Sequence, residues 1–389
     1  MLALATRFSP EQDWEIFPRL PARPAVFLLR GTGDPYASKT ANLRRRMERL
    51  LGKRTEQSKR LNLRDHIHEI EFTPTGSDLE SQLLLYQLLR QIFPKTYAAR
   101  LRFRFAPLVK LHLENSYPRA SVTTRLGSTR SGNAYYGPFP SRVAAERFAS
   151  DSLDFFKMRR CMEDLRPNPS FPGCVYSEMK MCLAPCFQGC TDGEYHNEVS
   201  RVVSFFNTRG DSLARELAGQ RDRASSELAF EEAAAFHAKT EKLKPLLAQL
   251  PEIVHPIHLL RAMIVLPGAE PAAVTLFFFE HCRFLAPLRF AIEAGVEAQS
   301  MESRLEATIH NLVPAKSTST LERMEHLALL KRWYYRSHRS GEIFFADERG
   351  TWPLRRMVRG IGRVYRGEKA QQEVSFSATE QPISPSQPT

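Results

Sequence analysis

Cysteine is the residue whose spacing in this sequence points most directly to chemistry. Five of the six cysteines fall between residues 161 and 190, and the first four are separated by twelve, seven and three residues. These four are Cys161, Cys174, Cys182 and Cys186. In a reducing compartment such a group favours thiolate ligation of a metal over disulfides. Four thiolates suit a zinc ion or a [4Fe–4S] cluster.

The spacing leaves the identity of the metal open. Paired Cys-x2-Cys knuckles, the usual arrangement for zinc, are absent from the sequence, so the spacing favours an iron–sulfur cluster. Four prolines between residues 167 and 185 are typical of a segment that a metal holds in shape. Cys190 is a spare or alternative ligand, and Cys282 is predicted to be a core residue because it lies in a strand-like run. Buried reduced cysteines without a metal are the alternative.

Positive charge is the second chemical feature. The 389-residue chain carries 55 Lys and Arg against 43 Asp and Glu, a net charge of +12. The excess is concentrated in residues 39–64, 95–130 and 331–369, which carry +8, +7 and +7. Concentrated positive charge favours a polyanion, because binding releases the polyanion's condensed counterions. We therefore expect a nucleic-acid partner, with a solvated basic surface as the alternative.

Composition favours a soluble globular protein. Hydrophobic residues make up 42% of the chain and charged residues 25%, which is the usual balance for folded domains. The longest nearly apolar run, residues 272–279, is far shorter than the ~20 residues that a membrane span needs. The first ten residues do not have the pattern of a secretory leader. We expect a cytoplasmic protein without a membrane partner.

The elements that position the chemical residues follow from the hydrophobic pattern. Residues 1–23 are predicted to form a loosely ordered lead-in, and residues 24–100 a hairpin, a helix, a strand and a second helix. Asn42 is the predicted N-cap of the first helix and Gly52 its end. Ser77 followed by a glutamate three residues later is a capping-box signature for the second helix. The predicted fold class is α+β.

Four stretches, in matching order, resemble the UvrC excinuclease family of bacterial nucleotide excision repair. Residues 24–46 are similar to a GIY-YIG nuclease signature, and residues 135–139, Tyr-Tyr-Gly-Pro-Phe, are similar to the segment that follows that domain. The cysteine spacing resembles the family's iron–sulfur site, so the resemblance implies a [4Fe–4S] cluster, with zinc as the alternative. Residues 224–234 are similar to the UVR helical hairpin that docks on UvrB.

The resemblance also implies a division of the chain. After the lead-in we expect a GIY-YIG-like domain at 24–100, a connecting region at 101–160, the cysteine segment at 161–190, a UVR-like helical region at 194–250, a UvrC-like α+β region at 251–366 and a disordered tail at 367–389. The tail is too poor in apolar residues to fold. The family's second, RNase H-like nuclease is not expected to fit in the sequence given.

The family's GIY-YIG site implies catalytic roles for Tyr36, Lys39 and Arg46. Such a site cuts a phosphodiester with a tyrosine, an arginine and a glutamate that holds one Mg²⁺ or Mn²⁺. Two positions depart from the pattern, because Phe27 replaces the first-motif tyrosine and Leu85 replaces the metal-binding glutamate. Leucine cannot coordinate a metal. We therefore expect an impaired nuclease. Mg²⁺ or Mn²⁺ is expected as a cofactor only if the nuclease is active.

Contacts with partners are expected on two surfaces. The predicted phosphate-binding residues belong to the first helix and its end: Arg44, Arg45, Arg46, Arg49, Lys53 and Arg54. Tyr135 and Tyr136 are candidates for stacking on bases, with core packing as the alternative. The residues predicted to contact UvrB are Leu228, Phe230, Ala233 and Ala234. Self-association or packing within the chain is the alternative for this hairpin.

Together these features predict a UvrC-like DNA-binding protein of nucleotide excision repair that acts as an accessory or regulator. One alternative is an active endonuclease with a single nuclease centre, in which Glu71, Asp78 or Glu80 replaces the missing metal ligand. A second alternative is a cluster-bearing protein outside repair that binds nucleic acid, including RNA.

Overall fold

The computed structural model describes residues 2–53, 61–127, 132–292, 299–313 and 319–368. Within these residues the strands form three sheets with helices packed on them, which confirms the predicted α+β class. Arg54 and residues 369–389 of the predicted tail lie outside the described residues. None of the helices in the described ranges is long and apolar enough to cross a membrane.

The N-terminal unit, residues 2–101, is a sheet with helices on both faces. Its elements are β1 (Leu4–Arg7), a 3-10 turn (Pro10–Gln12), α1 (Asp13–Arg19), β2 (Ala25–Gly31), β3 (Tyr36–Thr40), α2 (Leu43–Leu51), β4 (Ile67–Pro74), α3 (Asp78–Ile92) and α4 (Tyr97–Leu101). The strands are antiparallel in the order β1-β4-β2-β3. The hairpin, helix, strand and helix predicted for residues 24–100 are present.

The loosely ordered lead-in predicted for residues 1–23 is wrong. β1 is an edge strand of the sheet, where Leu4 lies opposite Phe72 of β4, and α1 follows it. Pro10 does not interrupt the structure, because it occupies the first position of the 3-10 turn, where the missing N–H has no partner to lose. The partner of β1 lies more than sixty residues away in sequence, so local pattern did not reveal the pairing.

The two faces of this sheet are covered by different helices. β2 is buried on both faces, and for this reason its residues 25–29 form an uninterrupted apolar run. α2 covers the face that carries Phe27, and α3 covers the face that carries Val26. Side chains alternate between the two faces along each strand. Successive residues of β2 and β3 therefore face α2 and α3 in turn.

The middle of the chain consists of a second sheet and a helical segment. Its elements are β5 (Leu108–Leu111), β6 (Ala120–Thr123), β7 (Ala134–Gly137), α5 (Arg142–Leu153), α6 (Val175–Glu178), a 3-10 turn (Pro185–Phe187), α7 (Asp192–Asn207), α8 (Asp211–Ser226), α9 (Phe230–Ala248) and β8 (His255–Pro256). The strands are antiparallel in the order β6-β5-β7-β8, and α5 packs on β5 and β6. The cysteine segment connects α5 to α7.

The C-terminal unit is a third sheet with helices on both sides. Its elements are β9 (Ala262–Pro267), β10 (Ala273–Glu280), β11 (Arg283–Phe284), β12 (Leu288–Ala291), α10 (Met301–His310), α11 (Thr320–Tyr334), β13 (Glu342–Phe345) and α12 (Leu354–Tyr365). The order is β11-β10-β9-β13, and β12 also pairs with β10. Met263 packs with α10 and α12, whereas Ile264 packs in the core that α11 shares. Cys282 is fully buried beside this sheet, as predicted for a core residue.

The N-terminal unit contacts the C-terminal unit directly. Gly76 lies so close to the turn between β9 and β10 that a Cβ there would meet the Pro267 carbonyl oxygen at 2.4 Å. On α3, the Tyr86 hydroxyl donates to the carboxylate of Glu325 on α11 at 2.8 Å. α3 is therefore held between the sheet it covers and the helix of the next unit.

Candidate functional site

Tyr36 and Arg46, two of the predicted catalytic residues, meet on the face of the N-terminal sheet that α2 covers. Tyr36 lies opposite Leu29 in the pairing of β2 with β3, so its ring packs on the α2 side. Asn42 caps α2 by accepting a hydrogen bond from the Arg45 N–H at 3.0 Å, which fixes where the helix begins. Arg46 then donates from Nη2 to the Tyr36 hydroxyl at 2.9 Å.

The Arg46 guanidinium has hydrogen-bonding capacity left over. Its Nε is buried and has no hydrogen-bond partner among the described residues. The ring of Phe27 is fully buried and lies 6.1 Å from the ring of Tyr36, centroid to centroid. This face of the sheet therefore presents a phenol and a cation, and the aromatic ring at residue 27 adds no second hydroxyl.

Lys39, the third predicted catalytic residue, lies on the opposite face of the sheet. It follows Tyr36 by three residues, an odd number, so strand alternation places it on the α3 side. Its Nζ lies 2.5 Å from Asp78 Oδ1, at the first residue of α3. Burial raises the pKa of Asp78, but Lys39, Gln82 and Arg336 together outweigh burial and leave that pKa below its ordinary value. The structure thus brings Tyr36 and Arg46 together and separates Lys39 from them.

Leu85, at the position expected to hold the metal-binding carboxylate, also lies on the α3 side. It packs in a small apolar cluster with Val26, Leu28 and Leu88. Hydrocarbon therefore lies against this partly buried position, which suits a leucine and would disfavour an ionised carboxylate.

The carboxylates considered as substitute metal ligands have partners within the protein. Glu71 forms an ion pair with Arg30, and Asp78 is held by two cations. Glu80 accepts a hydrogen bond from a backbone N–H just before α3 at 2.7 Å, and burial raises its pKa. Among the described residues, no three or more His, Cys, Asp or Glu side chains are grouped so that they could hold a metal ion.

The four predicted ligand cysteines influence one another in the segment between α5 and α7. Burial raises the pKa of Cys182 to about 11, and the thiols of Cys161, Cys174 and Cys186 contribute to the rise. Burial also raises the pKa of Cys186, again with contributions from Cys174 and Cys161. Such mutual effects require the sulfur atoms to lie in one neighbourhood. In the described residues these thiols are not arranged closely enough to form a metal-binding group of three or more ligands.

A buried arginine that sequence reasoning missed lies beside this segment. Arg159 is 1% exposed, and its guanidinium donates to the carbonyls of Tyr117 and Glu163 at 2.9 and 2.8 Å. It also donates to Cys161 Sγ at 3.4 Å. Within the described part of the chain no carboxylate forms an ion pair with it, and a buried charge without an anion is costly. The signal in the sequence was an arginine two residues before the first clustered cysteine.

Comparison with known proteins gives matches that include this segment. The family model described as UvrC/Cho excinuclease, middle domain, matches residues 107–205, a range that contains all five clustered cysteines. The chain is 26% identical to UvrABC system protein C of Hydrogenovibrio crunogenus over 250 residues, 63% of this chain and 40% of that protein. It is 27% identical to the protein of the same name from Alkalilimnicola ehrlichii over 269 residues, 68% of this chain and 43% of that protein. The chain is therefore similar to UvrC proteins over this middle segment and over roughly half to two thirds of its length.

The chain spans about two fifths of the length of these curated relatives. A third relative, UvrABC system protein C of Alcanivorax borkumensis, is 28% identical over 202 residues, 52% of this chain and 33% of that protein. No solved structure matches the chain.

The two tyrosines considered for base stacking have structural roles within the UvrC middle-domain match. Tyr136 is buried in the core, and its hydroxyl donates to Asn207 Oδ1 at 3.0 Å. The Tyr135 hydroxyl accepts a hydrogen bond from the Gly127 N–H at 2.9 Å. The alternative of core packing therefore describes Tyr136.

The basic residues of α2 divide into structural and exposed groups. Arg44 donates to the carbonyls of Leu20 and Pro18 at 2.9 and 2.7 Å, so it ties α2 to the end of α1. The side chains that remain exposed are Arg45, Arg49 and Lys53. These three, with the partly buried Arg46, form the basic surface of α2.

The hairpin of α8 and α9 exposes two large apolar side chains at its tip. Leu228 is 72% exposed and Phe230 is 65% exposed, while Ala233 is half-buried and Ala234 is exposed. The helices pack on each other, and Leu243 of α9 is buried in the core. The apolar tip therefore points into solvent and is available to a partner.

Proposed function

We propose that this UvrC-family chain is a DNA-binding protein of nucleotide excision repair that acts in the cytoplasm as an accessory or regulator. Its GIY-YIG nuclease centre is impaired in this proposal. The names of the relatives support a role in the UvrABC system. The observation that carries the impaired centre is Leu85, whose neighbours Val26 and Leu28 are hydrocarbon. The family's pattern expects the metal-binding carboxylate at this position, and a leucine cannot supply it.

DNA binding in this proposal uses the basic surface of α2. Arg45, Arg49 and Lys53 are exposed, and the partly buried Arg46 lies beside them and donates to the Tyr36 hydroxyl. Lysine and arginine on one helix face bind phosphates without reading sequence. Phosphate contacts without sequence specificity suit a protein that is directed to a lesion by other proteins of the repair system.

The DNA-binding proposal is tested by fluorescence anisotropy with lesion-bearing and undamaged duplexes at several salt concentrations. In the triple variant Arg45→Gln/Arg49→Gln/Lys53→Gln, the slope of log K against log salt should fall by about 2.7, at ~0.9 per phosphate contact. A control that neutralises Arg215, Lys239 and Lys242, on the surface of α8 and α9, should keep the wild-type slope. A wild-type chain without affinity for either duplex would contradict the proposal.

A second candidate function is an active endonuclease with a single centre. The observation that favours it is the Tyr36–Arg46 pair, in which a phenol and a guanidinium lie 2.9 Å apart. These groups can supply a nucleophile and a cation for the charge that develops on phosphate. This candidate requires Mg²⁺ or Mn²⁺ and a ligand for it outside the pattern of the family.

We further propose that Cys161, Cys174, Cys182 and Cys186 hold a [4Fe–4S] cluster, with zinc as the alternative for the same thiols. The residues fit an anionic group, because buried Arg159 donates to Cys161 Sγ and has no carboxylate partner in the described residues. When bound, the metal group would cross-link the proline-rich segment and stabilise its fold. Anaerobic purification followed by iron, sulfide and zinc analysis tests this. Equal iron and sulfide supports the cluster, zinc alone supports the alternative, and a metal-free folded chain contradicts both.

UvrB is the proposed protein partner, and the hairpin tip is the proposed contact. Exposed Leu228 and Phe230 provide the apolar anchors that a helical partner would bury. Replacing both by serine should abolish capture by immobilised UvrB. The control Val143→Ser/Val313→Ser removes two other exposed apolar side chains and should leave capture unchanged. Equal capture of both variants would contradict this contact.

A further inference from the structure

Two basic segments that are more than two hundred residues apart in sequence meet on the surface. Residues 95–113 contain five Lys or Arg and no Asp or Glu, and residues 326–341 contain four Lys or Arg and no Asp or Glu. The Arg332 guanidinium donates to the carbonyl oxygens of Leu101 and Arg102 at 3.2 and 3.0 Å. The end of α4 and the end of α11 are therefore in direct contact.

The charges at this contact lack carboxylate partners. In the described residues none of Arg102, Arg104, Lys331 and Arg332 takes part in an ion pair, and Arg102, Arg104 and Arg332 are exposed. Burial lowers the pKa of Lys331, and the nearby positive charges of Arg104 and Arg332 lower it further. Like charges at this distance repel one another in the absence of an anion. A polyanion would remove that repulsion on binding.

The same cationic surface continues to the N-terminal sheet. Arg336, just after α11, forms an ion pair with Asp78 at the start of α3, and Asp78 also pairs with Lys39 of β3. Two cations therefore share one carboxylate, which leaves a net positive charge where the two units meet. The excess positive charge extends from β3 to the end of α11.

The packing beneath this surface fixes its geometry. Glu325 of α11 is buried and accepts hydrogen bonds from Tyr86 of α3 and Tyr97 of α4 at 2.8 and 2.6 Å. Arg90 of α3 also pairs with Glu322 of α11 at 3.2 Å. Because these contacts hold α3 and α4 on α11, the exposed cations are positioned before any ligand arrives, which reduces the entropy lost on binding.

We propose that Arg102, Arg104, Lys331 and Arg332 form a junction surface that binds the phosphodiester backbone of DNA. The inference rests on the proposed function, which supplies DNA as the ligand. It adds a second DNA contact that is separate from the basic surface of α2. Guanidinium groups match phosphate oxygens in geometry, and a row of them on a rigid surface follows a backbone rather than a single anion. DNA bound at both surfaces would cross from the N-terminal unit to the C-terminal unit.

The test compares DNA binding by the full chain and by Arg104→Gln/Lys331→Gln across a range of salt concentrations. Two lost phosphate contacts should reduce the slope of log K against log salt by about 1.8 on duplex DNA, or about 1.4 on a single strand. The control Lys239→Gln/Lys242→Gln removes the same charge from exposed positions of α9 and should keep the wild-type slope. Circular dichroism checks that each variant is folded.

The outcomes separate this inference from the proposed function. The junction surface would be overturned if the wild-type chain binds DNA and Arg104→Gln/Lys331→Gln keeps the wild-type slope. A reduced slope in the α2 triple variant would then leave the DNA-binding proposal intact. No binding by the wild-type chain would overturn both. An RNA of the same sequence is titrated in parallel, and a preference for RNA that depends on Arg104 and Lys331 would overturn the assignment to DNA. A reduced slope on DNA in Arg104→Gln/Lys331→Gln, together with the wild-type slope in Lys239→Gln/Lys242→Gln, supports the junction surface.

Discussion

Replacing Arg159 by glutamine is expected to weaken retention of the proposed metal group while the metal-free chain still folds. Glutamine keeps an N–H₂ that can donate to a carbonyl, but it removes the buried positive charge beside Cys161. A hydrogen bond to a charged group contributes about 1.5–3 kcal/mol. Since about 1.4 kcal/mol is a factor of ten, retention should fall by roughly 10- to 150-fold if Cys161 is bound as a thiolate.

The same substitution should not destabilise the metal-free chain. There no metal holds the sulfur atoms as thiolates, and burial raises the pKa of Cys182 to about 11 and also raises that of Cys186. Within the described residues Arg159 has no carboxylate ion-pair partner, so its removal relieves the desolvation cost of a buried charge. The free energy of unfolding of the metal-free chain should therefore change little or increase.

Retention is measured anaerobically, from the loss of the visible charge-transfer absorbance as a chelator is added. The control Arg166→Gln makes the same charge change at an exposed position of the cysteine segment, and it should retain the metal group as the wild type does. Equal retention by Arg159→Gln and Arg166→Gln would refute the reasoning. So would a loss of stability that is larger in the metal-free chain than in the loaded one.

Three further predictions concern stability, each measured by urea unfolding. Leu85→Glu places a carboxylate among Val26, Leu28 and Leu88 and should lower the unfolding midpoint; an unchanged midpoint would contradict the apolar environment. Tyr86→Phe removes one donor from buried Glu325 and should cost about 1–3 kcal/mol, whereas Tyr365→Phe, at an exposed residue, should cost nothing measurable. Burial lowers the pKa of His326 to about 4, below the ~6.5 of an unfolded histidine. Between these pH values the unfolded chain binds a proton at His326 that the folded chain does not bind. The free energy of unfolding should therefore fall as pH drops from about 6.5 toward 4, by a total of about 3 kcal/mol. His326→Asn keeps an acceptor for the Phe284 N–H and should lose less, and equal losses in variant and wild type would contradict this assignment.

Local signals predicted the elements around the nuclease-like site well. The Asn42 cap and the end at Gly52 define α2 as the structure has it, and Ser77 caps α3. These features depend on contacts within a few residues, which sequence displays directly. Strand alternation also separates Tyr36 from Lys39, since they are three residues apart, and sequence alone contained that information.

Features that depend on distant parts of the chain were not accessible in the same way. The pairing of β1 with β4 joins residues more than sixty positions apart, and the contact of Arg332 with Leu101 joins segments more than two hundred apart. The basic segments were visible in the sequence, but their meeting depends on how α11 packs on α3 and α4. Arg159 was missed because its lack of a carboxylate partner is a property of the folded core.

The most direct test of the central claim is incision of a lesion-bearing duplex by the purified chain with Mg²⁺ or Mn²⁺, in the presence and absence of UvrA and UvrB. The account predicts that the wild-type chain binds the duplex and makes no nick, because Phe27 and Leu85 leave the centre without its hydroxyl and its metal ligand. Incision by the wild-type chain that disappears in Arg46→Ala would contradict it and would establish the active endonuclease instead.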